Sequence, residues 1–164
     1  MRERDRVGEI LSRDQLIARV ATERQRGRTI AFANGCFDLL HVGHIRYLEA
    51  SAQEGDVLIV ALNDDPAVKV LKGEGRPILT ADHRAALVAA LRCVDYVVIF
   101  PELTVGPLLE ALEPDVHCKG TDYTVDSVPE RAVVQSYGGR TAIVGDPKDH
   151  STRELIARVA GRNR

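Results

Sequence analysis

Two histidines three residues apart, His41 and His44, flank Gly43 in the run Asn34-Gly35-Cys36-Phe37-Asp38-Leu39-Leu40-His41-Val42-Gly43-His44. A short apolar stretch precedes this run and helix-period sequence follows it. The spacing therefore predicts a strand, a turn and a helix start, with both imidazoles on one helical face. A helix N-terminus offers unpaired N–H groups and a positive dipole end, which suits a phosphate. Gly43 lets a ligand approach the backbone closely. Two imidazole donors beside such amides can stabilise charge developing on phosphorus. Two other chemistries compete. Each histidine alone can serve as a helix cap or a packed ring, and the pair can bind zinc with Cys36 as a third ligand, although no second His, Cys or carboxylate group shows matching spacing. Gly35 does not open a GxGxxG pattern and GxxxxGK[ST] is absent, so neither a dinucleotide fingerprint nor a P-loop is present.

The basic residues divide into 18 Arg and four Lys, at positions 69, 72, 119 and 148. Lys69 and Lys72 fall with Arg76 in the Gly/Pro-punctuated segment that starts at Asn63. Three cations there suit a phosphorylated co-substrate and a triphosphate; the alternative is a solvated basic loop with Glu74 as partial neutraliser. Asp64 or Asp65 has the chemistry to hold Mg²⁺ or a ribose hydroxyl, or to cap the short helix that Pro66 suggests. Ser151 and Thr152 open the last helix, where hydroxyls and N–H groups can meet the β- and γ-phosphates, or where Ser151 and Glu154 simply form a capping box.

The elements that must position these groups follow a regular alternation. Apolar or β-branched runs at 29–33, 57–62, 96–100, 116–118 and 140–144 are separated by helix-period stretches near 43–54, 81–92, 105–112 and 128–137, with a last helix from Ser151. Thr80, Thr104 and Ser127 are expected N-caps and Gly55 and Gly138 expected C-caps; Ser127 with Glu130 has capping-box spacing. Continuous apolar strands alternating with helices predict an α/β fold, a Rossmann-like doubly wound five-stranded parallel sheet covered on both faces. Ligands in such sheets bind beyond the carboxyl ends of the strands, which directs attention to the loops at 34–42, 63–79, 119–126 and 145–150. An extra N-terminal helix is expected after Ser12, whose spacing to Gln15 is that of a capping box, with Gly27 closing it. Residues 1–28 carry eight Arg against five acids; the interspersed acids favour a solvated helix face over a nucleic-acid arm. Residues 1–28 thus form an N-terminal helical extension and residues 29–164 the main domain.

With 164 residues, 45% hydrophobic and 28% charged, the composition is that of one globular domain. A net charge of −2 argues against a dedicated nucleic-acid binder. No run approaches the roughly 20 apolar residues of a membrane span, and the first six residues lack the apolar core of a signal peptide. Three widely spaced cysteines, Cys36, Cys93 and Cys118, form no CxxC pair and point to a reduced, cytoplasmic compartment.

The run Gly35–His44 resembles the signature of the cytidylyltransferase-like nucleotidyltransferase superfamily, with its HxGH element. Leu71-Lys72-Gly73 followed by Arg76-Pro77, and Lys119-Gly120-Thr121-Asp122-Tyr123, are similar to the adenylyltransferase half of bacterial bifunctional heptose-phosphate kinase/adenylyltransferases. The matches run from about Thr29 to Ile156, without the sugar-kinase half. The resemblance implies a stand-alone adenylyltransferase that converts ATP and D-glycero-β-D-manno-heptose 1-phosphate to ADP-heptose and pyrophosphate, for lipopolysaccharide-type sugar nucleotides. It implies that His41 and His44 stabilise the α-phosphate and that Lys72 bridges the reacting phosphates. The nucleotide falls to Asn34, Gly35, Cys36, Phe37, Asp38, Lys119, Gly120, Asp122, Ser151 and Thr152. The sugar phosphate falls to Asn63, Asp65, Lys69, Lys72 and Arg76. Mg²⁺ is expected on the nucleotide phosphates, with no direct protein ligand assigned, and a homodimer with neither nucleic-acid nor membrane partner is expected. One residue departs from the pattern: Arg153 stands where the superfamily's ST-T element has a second Thr, and a guanidinium can bind phosphate but cannot repeat the hydroxyl contact. A cytidylyltransferase acting on glycerol 3-phosphate or another phospho-alcohol would share the fold and the HxGH loop, and a non-catalytic nucleotide-binding module would share the fold.

Overall fold

A computed structural model describes residues 6–147 and 149–161. Its elements are β1 (Glu9–Ile10), α1 (Arg13–Gln25), β2 (Ile30–Gly35), α2 (Val42–Ala52), β3 (Val57–Asn63), α3 (Asp65–Lys72), α4 (Ala81–Ala89), β4 (Tyr96–Phe100), α5 (Gly106–Leu112), β5 (Val116–Lys119), a 3₁₀ turn (Val125–Ser127), α6 (Arg131–Ser136), β6 (Arg140–Ile143) and α7 (Thr152–Gly161). The strands form one sheet in the order β1-β4-β3-β2-β5-β6, and every pairing is parallel.

The central strands are buried on both faces because their side chains alternate between two apolar layers. Ala31 and Ala33 of β2, with Leu58, Val60 and Leu62 of β3, meet Leu48 of α2 and Ala85 and Val88 of α4. Ile30 and Phe32 of β2, with Ile59 and Ala61 of β3, meet Leu16 of α1, Leu108 and Leu112 of α5 and Val134 of α6. The doubly wound parallel sheet is thus observed as expected, with one strand more. Its sixth strand, β1, is two residues long and pairs Glu9 with Tyr96 and Ile10 with Val97 at the sheet edge. So short a strand carries no periodicity and escapes a pattern search.

Local details both follow and depart from the spacing rules. Ser12 and Gln15 form the expected capping box, with the Gln15 N–H donating to Ser12 Oγ at 3.3 Å and the Ser12 N–H to Gln15 Oε1 at 2.9 Å. Gly27 closes α1 at φ +71°. Ser127 does not cap α6: its hydroxyl accepts from the Thr124 N–H at 2.8 Å, and α6 starts only at Arg131 with Glu130 at its N-cap. Pro129 disfavours helical backbone at the residue before it, and Val128 is extended at φ −70°, ψ 120°. Val105 rather than Thr104 is the N-cap of α5, and Thr80 holds the N-cap position of α4 without a side-chain cap bond. Gly55 does not close α2, which ends at Gln53. It lies so close to β2 that a Cβ there would sit 2.9 Å from the Ala31 nitrogen.

The chain runs from β2 outward through β3 and β4 on one side and through β5 and β6 on the other. The topological switch point therefore lies between β2 and β5, where a crevice must open at the carboxyl ends of the strands.

Candidate active site

A cleft of about 850 Å³ occupies that crevice. Its floor is the end of β2 and the following turn, Asn34–Asp38, beside the end of β5, Lys119–Tyr123. The α2 N-terminus closes one side with His41, Gly43 and His44, and the α7 N-terminus another with Ser151, Thr152 and Arg153; Lys72 and Arg76 complete the wall.

The two histidines are held by the helix they open. The Gly43 N–H donates to His41 Nδ1 at 3.1 Å, and the His41 N–H donates to His44 Nδ1 at 3.3 Å. Each Nδ1 is an acceptor, so each neutral ring carries its hydrogen on Nε2. The rings stack at 3.9 Å between centroids, 26° from parallel. Capping and catalytic readings of the pair are therefore compatible: Nδ1 serves the helix and Nε2–H is a donor. Gly43 has a steric reason as well, since a Cβ there would lie 3.0 Å from His41 Nδ1 and Cε1.

The turn before the helix is tightly built. Phe37 and Leu39 adopt left-handed φ of 49° and 55°, conformations that persist in non-glycine residues only when surroundings over-determine them. The Phe37 ring is buried below His44, 5.4 Å away, and against Tyr47. The Asp38 carboxylate accepts from the Ile78 N–H at 2.8 Å, the Leu79 N–H at 3.0 Å and Arg76 Nε at 2.8 Å. Burial pushes its pKa up, but these three donors outweigh it and hold the group below the usual carboxylate range. Asp38 thus organises the turn by tying it to the 76–79 segment. Thr152 ties it to the last helix, its hydroxyl donating to the Asp38 carbonyl at 2.9 Å. The Glu154 N–H donates to Ser151 Oγ at 3.1 Å, half of the expected box.

On the β5 side, Lys119 Nζ lies 4.7 Å from the Tyr123 ring centroid, and burial lowers its pKa against the pull of Glu130. His117, fully buried on β5, shares a 2.9 Å hydrogen bond between Nε2 and Asn34 Oδ1 across the switch point. Burial, with Lys119 nearby, lowers its pKa to about 3. The Cys36 thiol is pushed up by burial, against the pull of Lys72 and Arg84, and donates to Asn63 Oδ1 at 3.7 Å.

Three residues expected on the sugar-phosphate side stand outside the cleft lining. Asn63 is buried and its amide donates to the Glu102 carbonyl at 3.2 Å. Asp65 accepts from Arg84 at 2.7 Å, while Asp64 caps α3 through the Ala67 N–H at 2.9 Å. Lys69, exposed on the last turn of α3, pairs with Glu74 at 3.5 Å. Lys69 and Lys72 are thus helical residues, and Lys148 lies outside the described residues.

Sequence reasoning missed Arg84. Fully buried on α4, it donates to the carbonyls of Leu79 (3.0 Å), Cys36 (2.7 Å) and Asn63 (2.9 Å) as well as to Asp65. One guanidinium therefore joins the ends of β2 and β3, the start of α3 and the 76–79 segment. Its signal was an Arg on the same helical stripe as Ala85, Val88 and Ala89. His150 was missed too; it lines the cleft with its ring 6.5 Å from that of His41. Arg46, which pairs with Asp146 at 3.2 Å, is a further lining residue that was overlooked.

The family described as cytidylyltransferase-like matches residues 32–158. Among curated proteins, the chain is 47% identical over 146 residues to the bifunctional protein HldE of Geobacter sulfurreducens, covering 89% of this chain and 30% of that protein. It is 46% identical over 158 residues to the bifunctional protein HldE of Pelobacter propionicus, covering 96% of this chain and 32% of that one. The chain therefore spans about a third of the length of these relatives. A lipopolysaccharide core biosynthesis protein of Thermoplasma volcanium has a similar structure, with a TM-score of 0.65 and 27% identity over 74% of this chain and 100% of that one. The pantoate-β-alanine ligase of Francisella tularensis shares the fold, with a TM-score of 0.63 and 14% identity over 94% of this chain and 77% of that one.

Proposed function

Because the chain belongs to the cytidylyltransferase-like family, we propose that it is an adenylyltransferase joining the AMP moiety of ATP to heptose 1-phosphate, with release of pyrophosphate. The observation that carries this reading is the pair of Nε2–H imidazoles, His41 and His44, at a helix N-terminus that shares one cleft with Lys72 and Lys119. The choice of sugar phosphate and of ATP rests on the resemblance of the Lys72-Gly73, Arg76-Pro77 and Lys119–Tyr123 runs and on the HldE relatives.

The nucleophile is a sugar-phosphate oxygen, already ionised near neutral pH since its second pKa is about 6. No base is needed, so the demands are in-line positioning and neutralisation of charge at the α-phosphorus. His41 and His44 donate to the α-phosphate oxygens, and the α2 N-terminus adds its dipole. Lys72 bridges the two reacting phosphates and Arg76, its Nε fixed by Asp38, presents its remaining donors to the sugar phosphate. Asn34, Gly35, Cys36, Phe37, Asp38, Lys119, Gly120 and Asp122 border the nucleotide, and Ser151 and Thr152 lie at the end of its phosphate chain. Lys69, exposed at the end of α3 beside Glu74, is a further cation for the sugar phosphate, whereas Asn63 and Asp65 stand behind the cleft wall on Glu102 and Arg84 and act by positioning.

Among the described residues, no group of three or more His, Cys, Asp and Glu gathers to hold a metal ion. We place Mg²⁺ on the triphosphate oxygens, where it would neutralise charge on the pyrophosphate leaving group. The same proposal takes the enzyme as a cytoplasmic homodimer acting on small molecules alone.

A pyrophosphate-release screen of ATP, CTP, GTP and UTP against heptose 1-phosphate and glycerol 3-phosphate tests the reading. ATP with heptose 1-phosphate is the expected productive pair. CTP with glycerol 3-phosphate as the sole productive pair would overturn it in favour of the cytidylyltransferase alternative.

A further inference from the structure

Arg6, Arg19, Arg26 and Arg28 line no part of the active cleft, yet the fold gathers them elsewhere. A second cleft, of about 770 Å³, opens at the amino ends of β3 and β4, the opposite end of the sheet from the active cleft. Arg6 from the segment before β1, Arg19 of α1, Arg26 and Arg28 after it and Arg92 before β4 all line it. Among the described residues, five guanidiniums line it with the three carboxylates of Glu23, Asp56 and Asp95, and Glu9 beside it pairs with both Arg6 and Arg19, which leaves a formal surplus of one positive charge. Two of those carboxylates are turned onto the backbone: Asp56 accepts from the Thr29 N–H at 2.9 Å, and Asp95 from the Leu58 N–H at 2.8 Å.

The third carboxylate is the anchor. Glu23 is 1% exposed, and the Tyr96 hydroxyl donates to its Oε1 at 2.7 Å. Arg28 approaches its Oε2 at 3.0 Å and Arg26 its Oε1 at 3.8 Å. Arg19 is held in turn by Glu9 at 2.7 Å. A carboxylate fixed by a phenol thus orients Arg26 and Arg28, whose side chains remain 59% and 49% exposed at the cleft. Each guanidinium has five N–H donors in a rigid fork, and a single carboxylate engages at most two of them. Pre-oriented forks with donors left over, in a concave site of surplus positive charge, match a compact anion with several oxygens.

We propose that this cleft is a second anion site that binds a diphosphate group, remote from the active cleft. The length of β3, seven residues at about 3.3 Å each, puts the two sites about 20 Å apart. The concavity and the interspersed acids suit a small ligand over a nucleic-acid strand. The diphosphate comes either free, as inorganic pyrophosphate, or carried on a nucleotide.

Arginine-specific modification by phenylglyoxal, mapped by peptide mass spectrometry on the full chain, tests this. Inorganic pyrophosphate and ADP are the two probes. Arg153 reports the active cleft in the same experiment, and exposed Arg158 of α7 is the unprotected reference. Pyrophosphate is expected to slow modification of Arg28 and Arg92 while leaving Arg158 unchanged, and to do so equally in Lys72→Ala, whose active cleft is weakened. Protection by ADP as well would assign a nucleotide-borne diphosphate; protection by pyrophosphate alone would assign the free ion. Arg92→Glu, at an exposed position, is expected to raise the pyrophosphate concentration that protects Arg28 by about tenfold or more, the worth of one charge-assisted hydrogen bond. Protection confined to Arg153, or protection of Arg28 that Arg92→Glu leaves unchanged, would overturn the proposal.

Discussion

At the residue scale, the proposed function gives the two histidines two jobs on two nitrogens. Nδ1 of each accepts a backbone N–H at the start of α2, and this fixes the hydrogen on Nε2. The backbone of the helix that the pair opens thus takes part in selecting its tautomer. On the proposed function His44→Ala removes a donor to the α-phosphate, and it is expected to lower kcat by ~10²–10³. The lost cap costs about 1 kcal/mol of stability, too little to unfold the protein. Wild-type turnover in a purified, folded His44→Ala protein would exclude the role. Gly43→Ala separates the two jobs. Alanine favours a helix over glycine by about 1 kcal/mol, but its Cβ would press on the His41 ring at 3.0 Å. The unfolding midpoint is expected to hold or rise while turnover falls; a variant that keeps full activity would show that the ring orientation is immaterial.

At the element scale, the site depends on ties between segments far apart in sequence. Arg84 joins β2, β3, α3 and the 76–79 segment through three carbonyls and Asp65. Arg84→Met leaves those carbonyls buried without their donors and is expected to cost about 3–5 kcal/mol, read from urea unfolding. A cost below 1 kcal/mol would mean that water replaces the guanidinium. The tie from α7 is weaker and more selective. Thr152→Val removes the hydroxyl bond to the Asp38 carbonyl, worth about 1 kcal/mol. Since that bond sets the α7 N-terminus against the Asp38 turn, which the proposed function places at the nucleotide phosphates, KM for the nucleotide is expected to rise more than kcat falls, and Thr152→Ser to restore it. Equal KM values in Thr152→Val and the wild type would show that α7 is placed by other contacts.

At the scale of the whole molecule, the placement of charge matters more than the total of −2. The chain collects cations at both ends of one sheet, Lys72 and Lys119 with Arg46, Arg76 and Arg153 at the switch-point cleft and five arginines without a lysine at the opposite cleft. Whole-chain stability carries a pH signature of the switch point as well. His117 is buried neutral there with a pKa of about 3, against an ordinary value of 6.5. The unfolded chain protonates this ring below pH 6.5 and the folded chain does not, so stability is fully present above pH 6.5 and falls as pH drops towards 3. The slope is about 1.4 kcal/mol per pH unit, or about 2 kcal/mol between pH 7 and 5. Asp38, lowered below 3.8, adds its loss only beneath that pH. Urea unfolding at pH 7 and pH 5 measures the effect, and His117→Gln, which does not titrate, is expected to flatten it. A wild-type stability equal at both pH values would contradict a neutral buried ring. Much of this architecture is legible in sequence: continuous apolar strands, helix periods and the HxGH turn are local patterns, and their order alone places the ligand loops at strand ends. Which side chains reach the cleft is a different matter. Lys72 lines it while Lys69, one turn earlier on the same helix, pairs with Glu74; the Asp65 side chain turns instead to Arg84, and that of Asn63 to Cys36 and the Glu102 carbonyl. The two-residue β1, the Arg84 junction and the arginine cleft join residues separated by tens of positions in the chain. Periodicity and spacing constrain neighbours within a turn or a strand, whereas such contacts exist only once the crossovers have closed the sheet, so tertiary structure alone could decide them.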